Sequence, residues 1–434
     1  MDRVLILHYH EIWLKGKNKR YFLSRLTGAV KRALADLPVV PPRFVCERLV
    51  VEPREESALP IMLERLSRVF GIAYVAVAYR AANNLEAMGA VAREVMARKA
   101  PRSFAVRAKI ADQDFPMNTM ELERALGRVV LDHLRERASA GGVVRVNLSA
   151  PQVTCKVEVV PGEAFIYAER QAGPGGLPAA TGGRLVALLS GGFDSSVAAY
   201  KMMRRGAHLS FVHFYSGPAG ARGSSRPVAE ELVKALTPYQ FTSRLYSLAF
   251  EPVQRRVVAG APESLRVPLY RRLMARTARE IARAERALGL VTGDSVSQVA
   301  SQTLHNLAAI DHGLDFPVYR PLAGDDKEEI LAWARRIGTY EISCQPFEDC
   351  CPRFMPRAPA IFSSPEELDR AESHLDPEAL VTLALESATT EDFQFELGKV
   401  ETRQRLRPRL EKLVAWRKKA AEPVAPCAAV PAEG

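Results

Sequence analysis

The chain has 434 residues, 47% hydrophobic and 25% charged, with 27 glycines and 29 prolines, which excludes collagen-like, coiled-coil and wholly disordered architectures. At roughly 100–200 residues per domain the length predicts two to four domains, each with its own core. Lys plus Arg number 60 against 50 Asp plus Glu, a formal charge of +10 that favours a polyanionic partner. No apolar run approaches the ~18 residues of a membrane span, and Met1–His10 lacks a basic-then-apolar leader pattern. The expectation is a cytoplasmic protein without membrane association.

In chain order, Val4–His8 reads as a strand, and Lys17–Leu37 has helical periodicity through Tyr21, Phe22, Leu26, Val30 and Leu34. Phe44–Glu52 reads as a second strand and Leu59–Phe70 as a helix. From Ile72 the pattern predicts a strand, a helix over Leu85–Arg98, a strand over Ser103–Lys109 and a helix over Met120–Arg137. Strands at Val144–Leu148, Thr154–Val159 and Ala164–Arg170 follow. Gln171–Gly183, rich in glycine and proline, reads as a linker.

Beyond the linker the texture changes. Leu185–Leu189, Leu209–Phe214, Arg244–Leu248 and Leu288–Thr292 are strand-length segments separated by helix-length ones. That alternation predicts a doubly wound parallel sheet whose strands are buried on both faces. After about Pro359 the chain reads as helical and charged, and Ala420–Gly434 as a disordered tail. Six cysteines in such a chain are not a disulfide scaffold. Cys46 and Cys155 read as small buried hydrophobes, Cys344, Cys350 and Cys351 cluster, and Cys427 lies in the tail.

The most informative segment is Ser190-Gly191-Gly192-Phe193-Asp194-Ser195-Ser196, between the strand Leu185–Leu189 and a predicted helix. Glycines let backbone approach an anion, and the first amides of the helix point at it. Ser190, Ser195 and Ser196 add hydroxyl donors. The lysine of a Walker loop is missing and Asp194 stands in the loop instead, which suits pyrophosphate as leaving group and transfer of AMP to an oxygen. Asp194 would orient Mg²⁺ on the polyphosphate. The bland alternative, a glycine turn with Asp194 as helix cap, accounts for Gly-Gly but not for strand, loop and helix together.

This loop resembles the PP-loop of the adenine-nucleotide alpha-hydrolase superfamily. Further segments narrow the resemblance: Glu11-Ile12-Trp13-Leu14-Lys15-Gly16-Lys17-Asn18, Phe115-Pro116-Met117-Asn118-Thr119-Met120-Glu121-Leu122, Gly175-Gly176-Leu177-Pro178, Thr292-Gly293-Asp294-Ser295, Gln298-Val299-Ala300-Ser301-Gln302-Thr303 and Asp326-Lys327-Glu328-Glu329-Ile330. In this order, over residues 1 to about 360, the chain is similar to the tRNA 4-thiouridine synthetases (tRNA sulfurtransferases).

The resemblance implies an α/β fold in which a PP-loop doubly wound parallel sheet follows α+β ferredoxin-like and THUMP domains. The expected boundaries are 1–60 (ferredoxin-like), 61–169 (THUMP), 170–183 (linker), 184–360 (PP-loop domain) and 361–434 (helical extension and tail). It implies ATP and Mg²⁺ as cofactors and tRNA as partner, with 4-thiouridine made at the eighth nucleotide. Sulfur would come from a cysteine desulfurase or another persulfide donor, and a homodimer is compatible. By residue-wise carry-over, Leu188, Leu189, His213, Phe214, Arg271, Gly293 and Gln302 join Ser190, Gly191, Gly192 and Ser195 in the nucleotide site. Lys327 matches the family lysine that activates the substrate, its charge stabilising the developing pyrophosphate. The thiol chemistry falls to Glu348-Asp349-Cys350-Cys351-Pro352, with Cys350 or Cys351 catalytic and Cys344 as resolving partner. The alternative for three clustered thiolates is part of an iron–sulfur site, but the spacing matches no zinc or ferredoxin pattern, and no metal site is expected there.

Two basic features are candidates for RNA contact. Lys15, Lys17, Lys19 and Arg20 crowd the start of the first helix. Arg272, Arg276, Arg279, Arg283 and Arg286 fall on one helical stripe, expected to be exposed, with Met274, Thr277, Ala278, Ile281 and Leu288 opposite on the sheet. The chain departs from the family pattern in three places. It is too short beyond residue 360 for the C-terminal rhodanese domain of many members. Asp294 and Ser297 replace the usual Glu and Gly. Tyr215–Arg226 is unusually rich in Gly and Ser and reads as a mobile lid over the nucleotide. Two rival readings stand beside this one: a PP-loop ligase for a small molecule, and a non-catalytic RNA-binding protein with a relic nucleotide site.

Overall fold

The computed structural model describes residues 2–137, 143–217, 224–347, 354, 359–404, 411, 414, 415 and 417. The chain divides into two compact units, residues 1–179 and 180–434.

In the first unit the strands are β1 (Arg3–His8), β2 (Val39–Val45), β3 (Arg48–Pro53), β4 (Tyr74–Ala82), β5 (Ser103–Ile110), β6 (Arg145–Val146), β7 (Val153–Val160), β8 (Glu163–Tyr167) and β9 (Arg170–Ala172). Its helices are α1 (Lys19–Ala33), α2 (Leu59–Leu66), α3 (Leu85–Lys99) and α4 (Thr119–Arg137). One sheet runs through the whole unit in the order β2-β3-β1-β4-β8-β7-β5-β6, with β9 also on β4. Since β4 pairs with β1 on one side and β8 on the other, the sheet passes without a break across residue 60.

The expected strand over 44–52 is a hairpin. Cys46 and Glu47 have φ of 41° and 67° and form the two-residue turn between β2 and β3. Cys46 is therefore exposed, which corrects the buried-hydrophobe reading. Pro41 and Pro42 are tolerated because β2 is an edge strand with a register shift there. Cys155 is buried, and burial pushes its thiol up to about 12, so it is inert packing. The segment expected as a linker is tied to the sheet: β9 pairs with β4, Gly173 N donates to Ala73 O at 2.9 Å, and Gly175 N donates to Ile72 O at 2.8 Å. Gly173 is glycine because a Cβ there would collide with the Ile72 carbonyl.

Between β1, β3, β7 and β8 lies a buried ion cluster. Arg48 Nε donates to Glu158 Oε2, the Tyr167 hydroxyl donates to Oε1 at 2.6 Å, and His8 Nε2 stands 3.2 Å from Oε1. Burial pushes the Glu158 carboxyl up, but His8, Arg48 and Tyr167 outweigh it and hold it down to about 2. In acid the unfolded chain therefore takes up this proton first. The resulting stability is complete above pH 4.5, the ordinary value, and drains as pH falls towards 2. At about 1.4 kcal/mol per pH unit this is on the order of 3 kcal/mol. Thermal unfolding of the first unit should lose Tm more steeply between pH 4.5 and 2.5 in wild type than in Glu158→Gln; parallel curves would contradict the assignment.

In the second unit the strands are β10 (Arg184–Leu188), β11 (His208–Tyr215), β12 (Thr242–Ala249), β13 (Leu290–Val291), β14 (Val318–Tyr319), β15 (Thr389–Glu396) and β16 (Lys399–Gln404). The helices are α5 (Phe193–Arg204), α6 (Arg226–Gln240), α7 (Glu251–Gly260), α8 (Arg266–Glu285), α9 (Leu304–Asp311), α10 (Lys327–Ile337), α11 (Tyr340–Ser343), α12 (Pro365–Glu372) and α13 (Pro377–Glu386). Strands β14-β13-β10-β11-β12 are parallel, and β15 and β16 extend the β12 edge antiparallel. The chain leaves β10 for β11 on one side and later returns to β13 on the other, so the carboxyl end of β10 is a topological switch point, where open α/β sheets bind ligands.

Two expectations are corrected here. The region after 359 is not only helical, since β15 and β16 complete the sheet and turn at Leu397-Gly398, both at positive φ. The arginine stripe is covered at Arg272, Arg276 and Arg279, and exposed only at its end, at Arg283 and Arg286. Helix α8 packs on the sheet on one side and against α9, α12 and α13 on the other. Arg272 is 1% exposed and donates to Asp369 at 2.6 Å, Glu372 at 3.0 Å and the Ala309 carbonyl at 2.6 Å. Arg276 donates to Glu372 at 2.8 Å, and Arg279 to Glu280 at 2.9 Å and the Leu314 carbonyl at 3.0 Å. Arg286, in the left-handed conformation, ends the helix, so Leu288 escapes the periodicity and is exposed.

Arg272, Arg276 and Arg279 are internal ties, and Arg272→Ala would leave buried Glu372 with Arg276 as its remaining arginine and the Ala309 carbonyl without its donor. A stability loss of about 1.5–3 kcal/mol, the worth of a hydrogen bond to a charged group, is expected from denaturant unfolding, with RNA affinity of the folded variant unchanged. Weakened RNA binding at intact stability would restore the discarded reading.

Candidate active site at the loop after β10

Strand β10 delivers the chain to Ser190, and α5 starts at Phe193 with Gly192 as N-cap and no side-chain cap. Hydrogen bonds within the loop contribute to its shape. Ser190 N donates to Ser195 Oγ at 3.1 Å, Gly192 N donates to Ser190 Oγ at 3.2 Å, and Ser195 Oγ donates to Gly192 O at 3.1 Å. Gly293 lies directly behind it: a Cβ there would stand 2.6 Å from Ser195 N and 2.8 Å from Asp194 C. The result is an uncapped helix start whose first amides carry the positive end of the helix dipole.

Asp194, in the first turn of α5, is the charged group of the loop. Lys327 Nζ approaches its two oxygens at 3.1 and 3.3 Å, and Gln298 Nε2 donates to Oδ2 at 3.0 Å. The same ammonium lies 4.2 Å above the Phe193 ring. Lys327 is the first residue of α10, whose N-cap Asp326 forms a capping box with Glu329. An open cleft of about 320 Å³, lined by residues 295–298 and 323–327, adjoins this pair. Gln298 opens the motif segment Gln298–Thr303, and its contact with Asp194 is made by the fold, 104 residues apart in sequence.

A second cluster surrounds Asp294. Arg271 Nη2 donates to Oδ1, Gln302 Nε2 to Oδ1 at 3.3 Å, Thr292 Oγ1 to Oδ2 at 2.7 Å and Arg320 Nε to Oδ2 at 3.1 Å. Burial pushes this carboxyl up, but Arg271, Thr292 and Arg320 more than offset it and hold it below the usual carboxylate range. Arg271 also donates to Ser301 O at 2.5 Å, and Arg320, which the motifs did not mark, is fixed by two 2.8 Å bonds to Asp311. Ser297 adopts φ of 64°, a conformation that glycine takes without strain.

Other expected residues sit differently. The Leu189 N–H donates to Val212 O at 2.8 Å, and its carbonyl is 2.8 Å from His213 Nδ1. His213 is buried, with Nε2 2.9 Å from Ser225 Oγ, as in a satisfied core histidine. Phe214 packs edge-on against Phe250 at 5.1 Å, and Leu188 ends β10 half-buried. Cys344 is exposed just beyond α11. Cys350, Cys351, Cys427 and the middle of the expected lid (218–223) lie outside the described residues.

In the first unit, Lys15, Lys17, Lys19 and Arg20 gather where a 3-10 helix (Glu11–Asn18), kinked at Gly16, meets α1. Lys19 lies 3.6 Å over the Trp13 ring and bonds Glu47 at 2.6 Å; Lys15 lies 5.1 Å over Phe22. The first turn of α1 has no acidic residue. Cations at the positive end of a helix repel the dipole and leave the site receptive to phosphate.

Comparison with known proteins agrees in both units. Residues 180–376 match the family described as thiamine biosynthesis protein (ThiI), residues 4–76 the ThiI ferredoxin-like domain and residues 82–169 the THUMP domain. A probable tRNA sulfurtransferase of Thermus thermophilus is 43% identical over 89% of this chain and 93% of its own length. One from Moorella thermoacetica is 38% identical over 88% and 96%. The crystal structure of a 4-thiouridine synthetase–RNA complex with bound ATP superposes with a TM-score of 0.80 at 32% identity, over 90% of this chain and all of that one. The chain, with its ferredoxin-like, THUMP and PP-loop domains, belongs to the tRNA sulfurtransferase family.

Proposed function

We propose that this chain uses ATP to convert a tRNA uridine, the eighth nucleotide, to 4-thiouridine, with sulfur delivered as a cysteine persulfide. The observation that carries the reading is the uncapped start of α5 with Asp194 and Lys327 paired at its mouth. That arrangement fits a nucleotide polyphosphate: amides and hydroxyls of the loop for the anion, an ammonium for its charge, and one carboxylate facing it. A single carboxylate suits a magnesium ion carried in on the polyphosphate, where the metal would neutralise charge on the leaving group.

The uracil O4 attacks the α-phosphorus, the bond to pyrophosphate breaks, and Lys327 stabilises the charge that develops there. The 4-position then bears AMP, a far better leaving group than oxide. The terminal sulfur of a persulfide on Cys350 or Cys351 attacks C4, expels AMP and leaves a cysteine–S–S–C4 link. A second thiolate, with Cys344 as the candidate, attacks the cysteine sulfur and breaks the S–S bond. The electron pair leaves on the sulfur attached to C4, giving 4-thiouridine and a protein disulfide, which a thiol reductant reopens. Arg271, Gly293 and Gln302 complete the nucleotide pocket, with Leu188, Leu189, His213 and Phe214 at its strand ends. The ferredoxin-like and THUMP half, with Lys15, Lys17, Lys19 and Arg20, holds the tRNA.

The test is incubation of unmodified tRNA with the protein, Mg-ATP and a persulfide-loaded cysteine desulfurase, followed by nuclease digestion and mass spectrometry. One sulfur at the eighth nucleotide and one AMP per sulfur are expected. Sulfur elsewhere, or ADP as the nucleotide product, would overturn the reading.

A further inference from the structure

The stretch that follows α10 touches the loop region at three places. Ser196 Oγ donates to Thr339 Oγ1 at 3.1 Å, both residues being fully buried. Tyr340 stacks on Phe193 with ring centroids 6.4 Å apart. Phe347 lies against Gly191: a Cβ on that glycine would stand 2.5, 2.6 and 2.9 Å from three carbons of the Phe347 ring. Gly191 is not at positive φ, so its backbone alone does not demand glycine. At Gly192 a Cβ would meet nothing closer than Ser190 Oγ at 3.5 Å. The two glycines therefore differ: one receives an aromatic ring, and the other leaves the helix start open.

We propose that Phe347 is a positioning residue for nucleotide binding, its ring occupying the space of a side chain at 191 and clamping the loop in its anion-binding shape. The proposal rests on the ATP-dependent reading above. A Gly-Gly loop has more backbone freedom than any other dipeptide, and a loop that is competent only part of the time binds with affinity reduced by that fraction. Bound ATP restores the shape, so loss of the clamp weakens affinity and spares the chemical step.

The test is a double-mutant cycle on the full chain with Phe347→Ala, Gly191→Ala and their combination, plus Phe347→Leu. The readouts are Mg-ATP affinity without tRNA, KM for ATP and kcat of tRNA-dependent pyrophosphate release, and Tm. Phe347→Ala should raise Kd and KM for ATP about tenfold with kcat within about twofold, as a tenfold fall in the competent fraction predicts. Gly191→Ala should weaken ATP at least as much, the double variant should be no weaker than Phe347→Ala, and Phe347→Leu should lie between Phe347→Ala and wild type. If Gly191→Ala is as harmful without the ring as with it, the glycine serves the phosphate itself and the proposal fails. It fails equally if kcat falls at unchanged ATP affinity, or if the affinity losses merely follow a lowered Tm. A wild type that binds ATP but makes no 4-thiouridine would sink the thiolation reading, and the cycle would still be decided by ATP affinity.

Discussion

Asp194→Ala should reduce tRNA-dependent pyrophosphate release by about 10²–10³-fold, the usual cost of removing one group aimed at developing charge, while tRNA affinity stays near wild type. The reason is local. Asp194 is the carboxylate that Lys327 and Gln298 converge on, so its loss removes the anchor of the lysine and, on the proposed function, the group that would face the metal-nucleotide. Its structural contribution is small by comparison. An acidic residue in the first turn of a helix is worth about 0.3–1 kcal/mol through the dipole, too little to unfold the second unit. Asp194→Asn keeps the shape and a contact to Lys327 but not the charge, so it should fall nearly as far as alanine. Measuring pyrophosphate release and tRNA binding on the same preparations decides the matter. Equal loss of both would make the loop a structural element.

The second large effect concerns the thiols. With a persulfide donor, serine at the catalytic position, Cys350 or Cys351, should bring thiolation to the level seen without donor. With sulfide the same variant should retain activity, because hydrosulfide attacks the adenylated C4 directly and needs no protein sulfur. Pyrophosphate release should be unaffected with either donor. Cys344→Ser should permit a single turnover trapped as the protein–S–S–C4 adduct, which reductant releases. If sulfide-supported thiolation falls together with the persulfide-supported reaction, the cysteines support the nucleotide site instead of carrying sulfur.

The loop was legible in the sequence because its chemistry is written in consecutive residues: a buried apolar strand, Gly191-Gly192, Asp194 and a helix. Strands β10 to β13 were legible for the same reason, being largely buried segments, whereas β14, two residues at the sheet edge with Tyr319 exposed, left no such signal. What failed did so where tertiary packing decides. The periodicity of Arg272, Arg276 and Arg279 located a real stripe, but Asp369 and Glu372, which cover it, lie about a hundred residues away in sequence. Cys46-Glu47 is not a turn dipeptide by composition, so the β2–β3 hairpin was read as one strand. The glycines of 171–183 suggested freedom where Gly173 and Gly175 instead permit close backbone pairing with residues 72 and 73. In β15 the buried Phe393 and Phe395 alternate with more polar neighbours, a strand signal overlooked among the charges. Arg320 and Phe347 carry no motif, and only the fold brings them to the site.

The most direct measurement is formation of 4-thiouridine on an unmodified tRNA by the purified chain with Mg-ATP and sulfide, with and without nucleotide and in the Asp194→Ala variant. Sulfide bypasses sulfur delivery, so the reaction isolates activation of the base. Product that requires ATP, appears with one pyrophosphate per sulfur and vanishes in Asp194→Ala is the predicted result. Tight tRNA binding with no ATP-dependent thiolation would contradict it, and would make this chain an RNA-binding member of the family with an inactive nucleotide site.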